Sequence, residues 1–255
     1  MKTFSLFRAH LYRLSRSIWA WAVPAAFLAA LCFALGGECL SVLLGVGQGV
    51  DVFGAWSNVL RAMPIPLAVF CSLFVGSELS CGGMRSKAAA GCAKGRLFGA
   101  LLLVCFAYAA ALYILSCALC YAFAPLLGLG VSPVGTHILR CLCGLALALA
   151  YASVFVSLSC ACKKVPAALA ACLAAVFAET FLLSLLGRAD SLAMATGFGA
   201  PVSKLLILCL ECILPRGAAS MLAAGGAGYP LYIVLPAALS LVGLLMGRRA
   251  LAEKI

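Results

Sequence analysis

The sequence predicts an all-α polytopic membrane protein, and its composition and charge distribution carry that prediction. Of the 255 residues, 66% are hydrophobic and 10% are charged, whereas soluble domains hold roughly 45–50% apolar and about 25% charged residues. The charges form short clusters between long uncharged runs, so lipid is the solvent for most of the chain. Runs such as 97–123 and 165–186 are continuously apolar, unlike the alternating strands of a membrane barrel, and this indicates helices.

Six transmembrane helices are predicted within one membrane domain that covers residues 1–255. They lie near residues 18–36, 60–77, 97–123, 140–162, 165–186 and 230–247. The second segment contains Arg61, Pro64 and Pro66 in a short uncharged run, which also permits a re-entrant or broken helix. We favour a crossing, because the basic loop that follows would otherwise lie on the same side as the loop after the first span.

Two further helices are predicted at the membrane surfaces. Residues 1–17 combine basic residues with apolar residues at helical spacing, which indicates an amphipathic surface helix. A signal peptide is the alternative, and the five later apolar segments favour a retained first span. On the outer side, Val202–Leu214 is mostly apolar, bracketed by Pro201 and Pro215, and too short to cross. It predicts an interfacial or re-entrant helix between spans five and six.

The charge distribution predicts that both termini are cytoplasmic. With the N-terminus inside, thirteen of the eighteen basic residues fall in cytoplasmic segments, and these segments carry the whole net charge of +11. The thirteen are Lys2, Arg8, Arg13, Arg16, Arg85, Lys87, Lys94, Arg96, Lys163, Lys164, Arg248, Arg249 and Lys254. Because these residues flank membrane segments, we expect them to orient the protein in the membrane and to contact the lipid bilayer. No nucleic-acid partner is predicted.

The fifteen cysteines are interpreted mainly as small apolar side chains, since most lie inside apolar runs. Eight are assigned this role: Cys32, Cys71, Cys105, Cys117, Cys120, Cys160, Cys162 and Cys172. Cys117-x-x-Cys120 and Cys209-x-x-Cys212 have spacing that suits redox chemistry or a metal, but no second pair or nearby histidine completes a site with either, so no metal site is predicted. Cys39, Cys209 and Cys212 would face outside, where a disulfide is an open alternative.

The loop between spans two and three carries the most informative motif. Residues 78–96 form a short, glycine-framed segment that is compatible with a helix and rich in cations, which could meet acidic groups on a soluble partner. Its motif is an acid followed at fixed spacing by glycines and basic residues: Glu78, Gly82, Arg85, Lys87, Gly91 and Lys94. The alternative interpretation is a connector whose positive charge serves orientation alone.

This motif resembles that of the ABC-2 type permeases of bacterial ABC exporters, closely over about twenty residues and loosely over the whole chain. The resemblance implies a membrane-spanning subunit of the bacterial plasma membrane in which the six motif residues contact a separate ATP-binding subunit. It also implies that the loop transmits closure of that subunit to the spans. Two permease chains, identical or related, would together form the export pathway.

The sequence contains no GxxxxGK[ST] phosphate-binding motif and no recognisable catalytic set. We therefore predict a transport subunit rather than an enzyme, without a cofactor of its own, while ATP and Mg²⁺ bind to the partner subunit. The alternatives are a secondary transporter and an integral membrane enzyme that lacks a recognisable motif.

Glu179 is an acid within a predicted span, where charges are costly and often functional. It lies about 10 Å from the outer end of span five. One interpretation is an ion pair in an outer vestibule with Arg140, Lys204 or Arg188, and the other is a place on the substrate path.

Overall fold

The computed structural model describes residues 3–44, 52–123, 134–162, 164–196 and 229–254, which form nine helices. In chain order these are α1 (Thr3–Arg16), α2 (Ile18–Leu43), α3 (Val52–Ala62), α4 (Pro64–Ser80), α5 (Gly83–Ala89), α6 (Lys94–Phe123), α7 (Val134–Ala161), α8 (Val165–Thr196) and α9 (Tyr229–Lys254). The predicted outer helix at Val202–Leu214, with Cys209 and Cys212, lies outside the described residues.

Among the residues that the structure describes, five segments are long and apolar enough to cross a membrane: Ile18–Ser41, Trp56–Ser80, Lys94–Phe123, Ile138–Ala161 and Val165–Leu185. The predicted class, a helical protein with several membrane spans, agrees with this architecture. The sixth predicted span, 230–247, falls within α9, and its crossing stays a prediction. The position of α1 at a membrane surface also stays a prediction.

The second span is longer than predicted because α3 and α4 follow one another almost without interruption at Met63. The Met63 amide donates to the Val59 carbonyl at 2.9 Å, and the Leu67 amide donates to the Met63 carbonyl at 3.4 Å. Pro64 occupies the first position of α4, where a missing N–H costs little. The prolines therefore begin a helix here rather than break the span.

Several helices continue beyond the predicted span boundaries. Helix α2 ends at Leu43, α8 at Thr196 and α9 at Lys254, whereas the predicted spans end at 36, 186 and 247. Hydropathy reports where side chains leave the hydrocarbon layer, but the backbone hydrogen bonds continue until another feature ends the helix. Helix length and span length are therefore different quantities in this chain.

The main buried cluster is centred on α4, α6 and α7 and receives residues from all nine described helices. Helix α7 packs against α9, α4, α6 and α8, while α1 packs mainly on α6. The span segments of α2 and α8 are largely exposed, in contrast to those of α4, α6 and α7. Side chains on α2 and α8 therefore face lipid or other chains.

Close approach of α9 to α7 depends on glycine. A Cβ at Gly247 would lie 2.9 Å from the Cα of Ser157, closer than such atoms approach. One turn earlier, a Cβ at Gly243 would meet no atom nearer than the Ser157 Oγ at 3.7 Å, an ordinary contact. This spacing of two glycines four residues apart is typical of tightly packed membrane helices.

Candidate functional site

Two glycines define the short helix α5 within the loop between α4 and α6. Gly82, immediately before α5, has φ of +70°, and Gly91, shortly after it, has φ of +81°. Residues with a Cβ rarely adopt these left-handed conformations, whereas glycine does so at little cost. Glycine at these two motif positions therefore allows the chain to reverse on either side of a seven-residue helix.

Glu78, in the last turn of α4, is fully buried and lies at the centre of a charge cluster. Its Oε1 is 2.9 Å from the Arg13 Nη1 and 3.2 Å from the His10 Nδ1, both on α1. The Lys87 Nζ of α5 lies 3.5 Å from the same oxygen. One carboxylate of α4 therefore holds the N-terminal helix and the loop helix together.

His10 is itself buried between an acid and a base. Its Nδ1 faces Glu78, and its Nε2 lies 3.4 Å from the Lys87 Nζ. An ammonium group has donors only, so the facing Nε2 suits it best as an acceptor. The other ring nitrogen, Nδ1, lies 3.2 Å from the Glu78 Oε1 without hydrogen-bond geometry.

The attraction within this cluster is mainly electrostatic. Neither carboxylate oxygen of Glu78 makes a contact with hydrogen-bond geometry among the described residues, although basic nitrogens lie close to Oε1. A buried charge is costly unless it is compensated, and imperfect geometry makes that compensation incomplete. Such a site tolerates small movements of its partners more readily than an aligned hydrogen-bond network does.

Gly83 leaves space for the Glu78 carboxylate. A Cβ at position 83 would lie 2.7 Å from the Glu78 Oε2, inside van der Waals contact. The absence of a side chain at the first residue of α5 thus lets the loop helix close over the buried acid. The consecutive glycines have different roles, since Gly82 supplies the backbone turn and Gly83 supplies the space.

Aromatic rings continue from the charge cluster into the helix bundle. The His10 and Phe74 rings are 6.4 Å apart, edge to face, and Phe74 stacks on Phe70 at 5.6 Å. Phe70 in turn stacks on Tyr108 of α6 at 3.4 Å. Rigid side chains thus connect Glu78 and α1 to the middle of α6.

The six motif residues separate into three groups in the structure. Glu78 is buried, and Lys87 is half-buried against it. Gly82 and Gly91 act through the backbone, and Arg85 and Lys94 are exposed. Only part of the predicted partner surface is therefore presented outward, and the acid at its start instead organises the loop from within.

Sequence reasoning missed His10 and Arg13 as members of this cluster. They lie three residues apart, so they share one face of α1, next to the apolar residues that pack inward. The sequence feature that could have indicated His10 is its position on the apolar face of an amphipathic helix. Nothing in the sequence pairs it with Lys87, 77 residues away.

Glu179 is held by a tyrosine that the sequence did not indicate. The Tyr151 hydroxyl of α7 lies 3.0 Å from Oε1 and 3.1 Å from Oε2 of Glu179, and it donates to this carboxylate. Arg140 is half-buried on α7, about 16 Å along the helix from Tyr151. Lys204 lies outside the described residues.

Cysteine placement agrees with the small-apolar interpretation for most of the eight residues assigned to it. Six are buried, namely Cys71, Cys105, Cys117, Cys120, Cys160 and Cys172, while Cys32 and Cys162 are half-buried. Within the described ranges, no group of three or more His, Cys, Asp or Glu side chains has the geometry to hold a metal ion. Cys39 forms no disulfide with another described cysteine.

No model of a protein family matches the chain, and no curated protein matches it either.

Proposed function

We propose that this chain is the permease subunit of an ATP-driven exporter of the ABC-2 type. In this proposal the loop 78–96 docks on a separate ATP-binding subunit. The observation that carries the proposal is the anchoring of α5 by Glu78, which links an exposed basic loop helix to both α1 and α4.

The exposed face of α5 is suited to a soluble acidic partner. Arg85 and Ser86 are exposed, as are Ala89 and Ala90 at the end of the helix, so this face is small and carries positive charge. Its opposite face buries Met84 in the main core, which holds the helix against the bundle. A partner with a shallow acidic groove would contact Arg85 without disturbing Met84.

The same anchoring supplies a route for mechanical coupling. Movement of α5 displaces Lys87, and the shared carboxylate passes that displacement to α4 and, through His10 and Arg13, to α1. Phe74 and Phe70 extend the route to Tyr108 on α6. A partner that closes on ATP would thereby shift three helices together.

The remaining components follow from this assignment. The partner subunit binds ATP and Mg²⁺, and a second permease copy, identical or related, completes the export pathway. Lipid-facing surface on α2 and α8 is available for contact with that copy. The Tyr151–Glu179 pair belongs either to the export path or to an outer vestibule. The bacterial plasma membrane, with both termini cytoplasmic, is the proposed location.

Affinity purification from native membranes tests the docking role of α5. We expect the wild-type chain to retain an ATP-binding protein with ATPase activity in mild detergent. Arg85→Glu reverses the charge of an exposed side chain away from Glu78, and we expect it to reduce recovery of that protein at least about ten-fold, the effect of ~1.4 kcal/mol. Arg249→Glu is the matched control, because it makes the same change at an exposed position on α9.

Two outcomes would contradict the proposal. One is recovery of the folded wild-type chain without any ATP-binding protein. The other is equal loss of the ATPase in Arg85→Glu and Arg249→Glu, which would indicate a general charge effect rather than docking at α5.

A further inference from the structure

Two cysteines from neighbouring helices meet at one end of the contact between α6 and α7. Cys117 lies near the end of the span Lys94–Phe123, and Cys141 lies near the start of the span Ile138–Ala161. Both residues carry thiols in the structure, and the two thiols interact across the interface. Because a disulfide forms only where two sulfurs can approach with little backbone movement, this is a candidate position for one.

Two tyrosines of α6 fix the position of Cys141 independently. The Tyr113 hydroxyl donates to the Cys141 carbonyl at 3.0 Å, and the Tyr121 hydroxyl lies 3.7 Å from the Cys141 Sγ. Tyr113, Cys117 and Tyr121 follow one another at intervals of one helical turn, so they share a face of α6 with the cysteine in the middle. Since Cys141 contacts the residues on both sides of Cys117, its sulfur lies opposite that residue.

The nearest other thiols on the two helices lie on different faces. Cys120 is buried against Leu35, on the side of α6 that meets α2. Cys143 is fully buried in the main core, and residues two positions apart on a helix do not share a face, so it does not replace Cys141. The packing therefore selects Cys117 and Cys141 as the pair.

Accessibility separates this pair from a second pair deeper in the bundle. Cys71 of α4 and Cys105 of α6 also interact, but both are fully buried in the core. Cys141 is half-buried, and its sulfur contacts the exposed Tyr121. Thiol oxidation needs a thiolate that the oxidant can reach, so Cys141 is the residue at which the reaction begins.

We propose that Cys117 and Cys141 form a reversible disulfide that cross-links α6 to α7 and stabilises their contact. The proposed orientation places this end of both helices on the outer side of the membrane, where disulfide compounds serve as oxidants. The cross-link uses none of the residues of the proposed docking loop and does not depend on an ATP-binding partner.

The reaction is a pair of thiol–disulfide exchanges. Cys141 loses its proton, and its thiolate attacks one sulfur of the oxidant disulfide, which releases one thiolate and leaves a mixed disulfide. The Cys117 thiolate then attacks the Cys141 sulfur and displaces the second thiolate. The two cysteines together lose two protons and two electrons, and the oxidant is reduced to two thiols.

Cleavage of the chain between the two helices tests the cross-link. A protease site inserted in the segment that joins α6 to α7 places Cys117 and Cys141 on different fragments, while Cys71 and Cys105 stay on the same fragment. Membranes are treated with oxidised glutathione, blocked with N-ethylmaleimide and then cut. We expect the two fragments to migrate together without reductant and to separate after dithiothreitol.

Single substitutions identify the cysteines that form the link. Cys117→Ala and Cys141→Ala should each abolish the linkage, whereas Cys120→Ala and Cys143→Ala, the matched controls on the same helices, should retain it. Separation of the wild-type fragments after oxidation would overturn the proposal. Linkage that survives Cys117→Ala or Cys141→Ala would overturn it as well.

Thermal unfolding of the uncut protein in detergent measures the effect of the cross-link. We expect the oxidised wild type to unfold at a higher temperature than the reduced wild type, because a disulfide restricts the unfolded chain. Cys117→Ala should unfold at the same temperature in both redox states. Equal unfolding temperatures of the oxidised and reduced wild type would contradict the stabilising role.

Discussion

Glu78 illustrates how unequal the members of a buried charge cluster are. The carboxylate is fully buried, whereas the side chains of Arg13 and Lys87 are 45% and 28% exposed. The two cations can turn towards water when their partner is lost, so solvent screens them. The buried carboxylate cannot turn towards water, so the cost of its desolvation must be offset by groups within the protein.

This asymmetry predicts which substitutions in the cluster are most destabilising. Glu78→Gln should cost about 1–2 kcal/mol, since its cations rehydrate, whereas Arg13→Gln combined with Lys87→Gln should cost about 3–5 kcal/mol by leaving a buried carboxylate uncompensated. Adding Glu78→Gln to that double variant should restore part of the lost stability. Thermal unfolding of the purified protein in detergent measures all four forms.

Arg85→Gln is the control for general loss of positive charge from the loop, because Arg85 is exposed and outside the cluster. Its unfolding temperature should match that of the wild type. If the triple variant were less stable than the double variant, the carboxylate would be favourable without its partners, contrary to the electrostatic argument.

Helix packing in this protein depends on small residues where helices approach closely. At the contact of α9 with α7, Gly247 lies against the backbone of Ser157, and Gly243 has more space. A similar device occurs at Gly144 of α7, where a Cβ would lie 2.9 Å from the Trp56 ring and would overlap the Tyr113 hydroxyl. That hydroxyl accepts from the Trp56 Nε1 and donates to the Cys141 carbonyl, both at 3.0 Å, which joins α3, α6 and α7.

The two glycines of α9 form a matched pair for a packing experiment. Gly247→Ala should destabilise the protein by about 1–3 kcal/mol, the usual cost of overpacking. The new methyl group would clash with the Cα of Ser157, and a backbone atom can move only if helix α7 moves with it. Gly243→Ala adds the same methyl group at an ordinary contact distance and should be neutral or slightly stabilising. Unfolding temperatures in detergent compare the two variants, and equal destabilisation would contradict the assignment of close approach to Gly247 alone.

Across the whole molecule, basic residues from distant parts of the chain gather at one end of the bundle. Arg13 meets Glu78 at the end of α4, and Lys87 joins them from α5. The Arg248 side chain of α9 lies next to Gly95, where a Cβ would be 3.7 Å from its Nε. These are residues that the sequence assigns to the cytoplasmic side, and their convergence fits a common membrane face.

The native Cys81 allows that orientation to be measured. Cys81 is exposed between α4 and α5, and we expect a membrane-impermeant maleimide to modify it only after permeabilisation of bacterial spheroplasts. Asn58→Cys, at an exposed position towards the other end of the same span, should be modified in intact spheroplasts. Peptide mass mapping identifies the labelled cysteine. Modification of Cys81 before permeabilisation would invert the topology and remove the docking proposal with it.

Composition and local sequence pattern were sufficient to predict a helical membrane protein, the positions of the five apolar spans and the glycine-framed loop. These properties depend on short-range features: continuous apolar runs must enter lipid, and Gly82 and Gly91 permit left-handed turns wherever the chain folds. Helix ends were less predictable, as α2 and α8 show, because hydropathy and hydrogen bonding end at different residues.

The partners of Glu78 and Glu179 emerged from the packing of helices. His10, Arg13 and Lys87 converge on one carboxylate, and Tyr151 reaches another, across separations that no local pattern encodes. An apolar groove beside Ala111 likewise exists because α1 packs against both α6 and α2. Helices that are apolar on every side do not reveal from sequence which faces will meet, and so shape complementarity in three dimensions selects the neighbours.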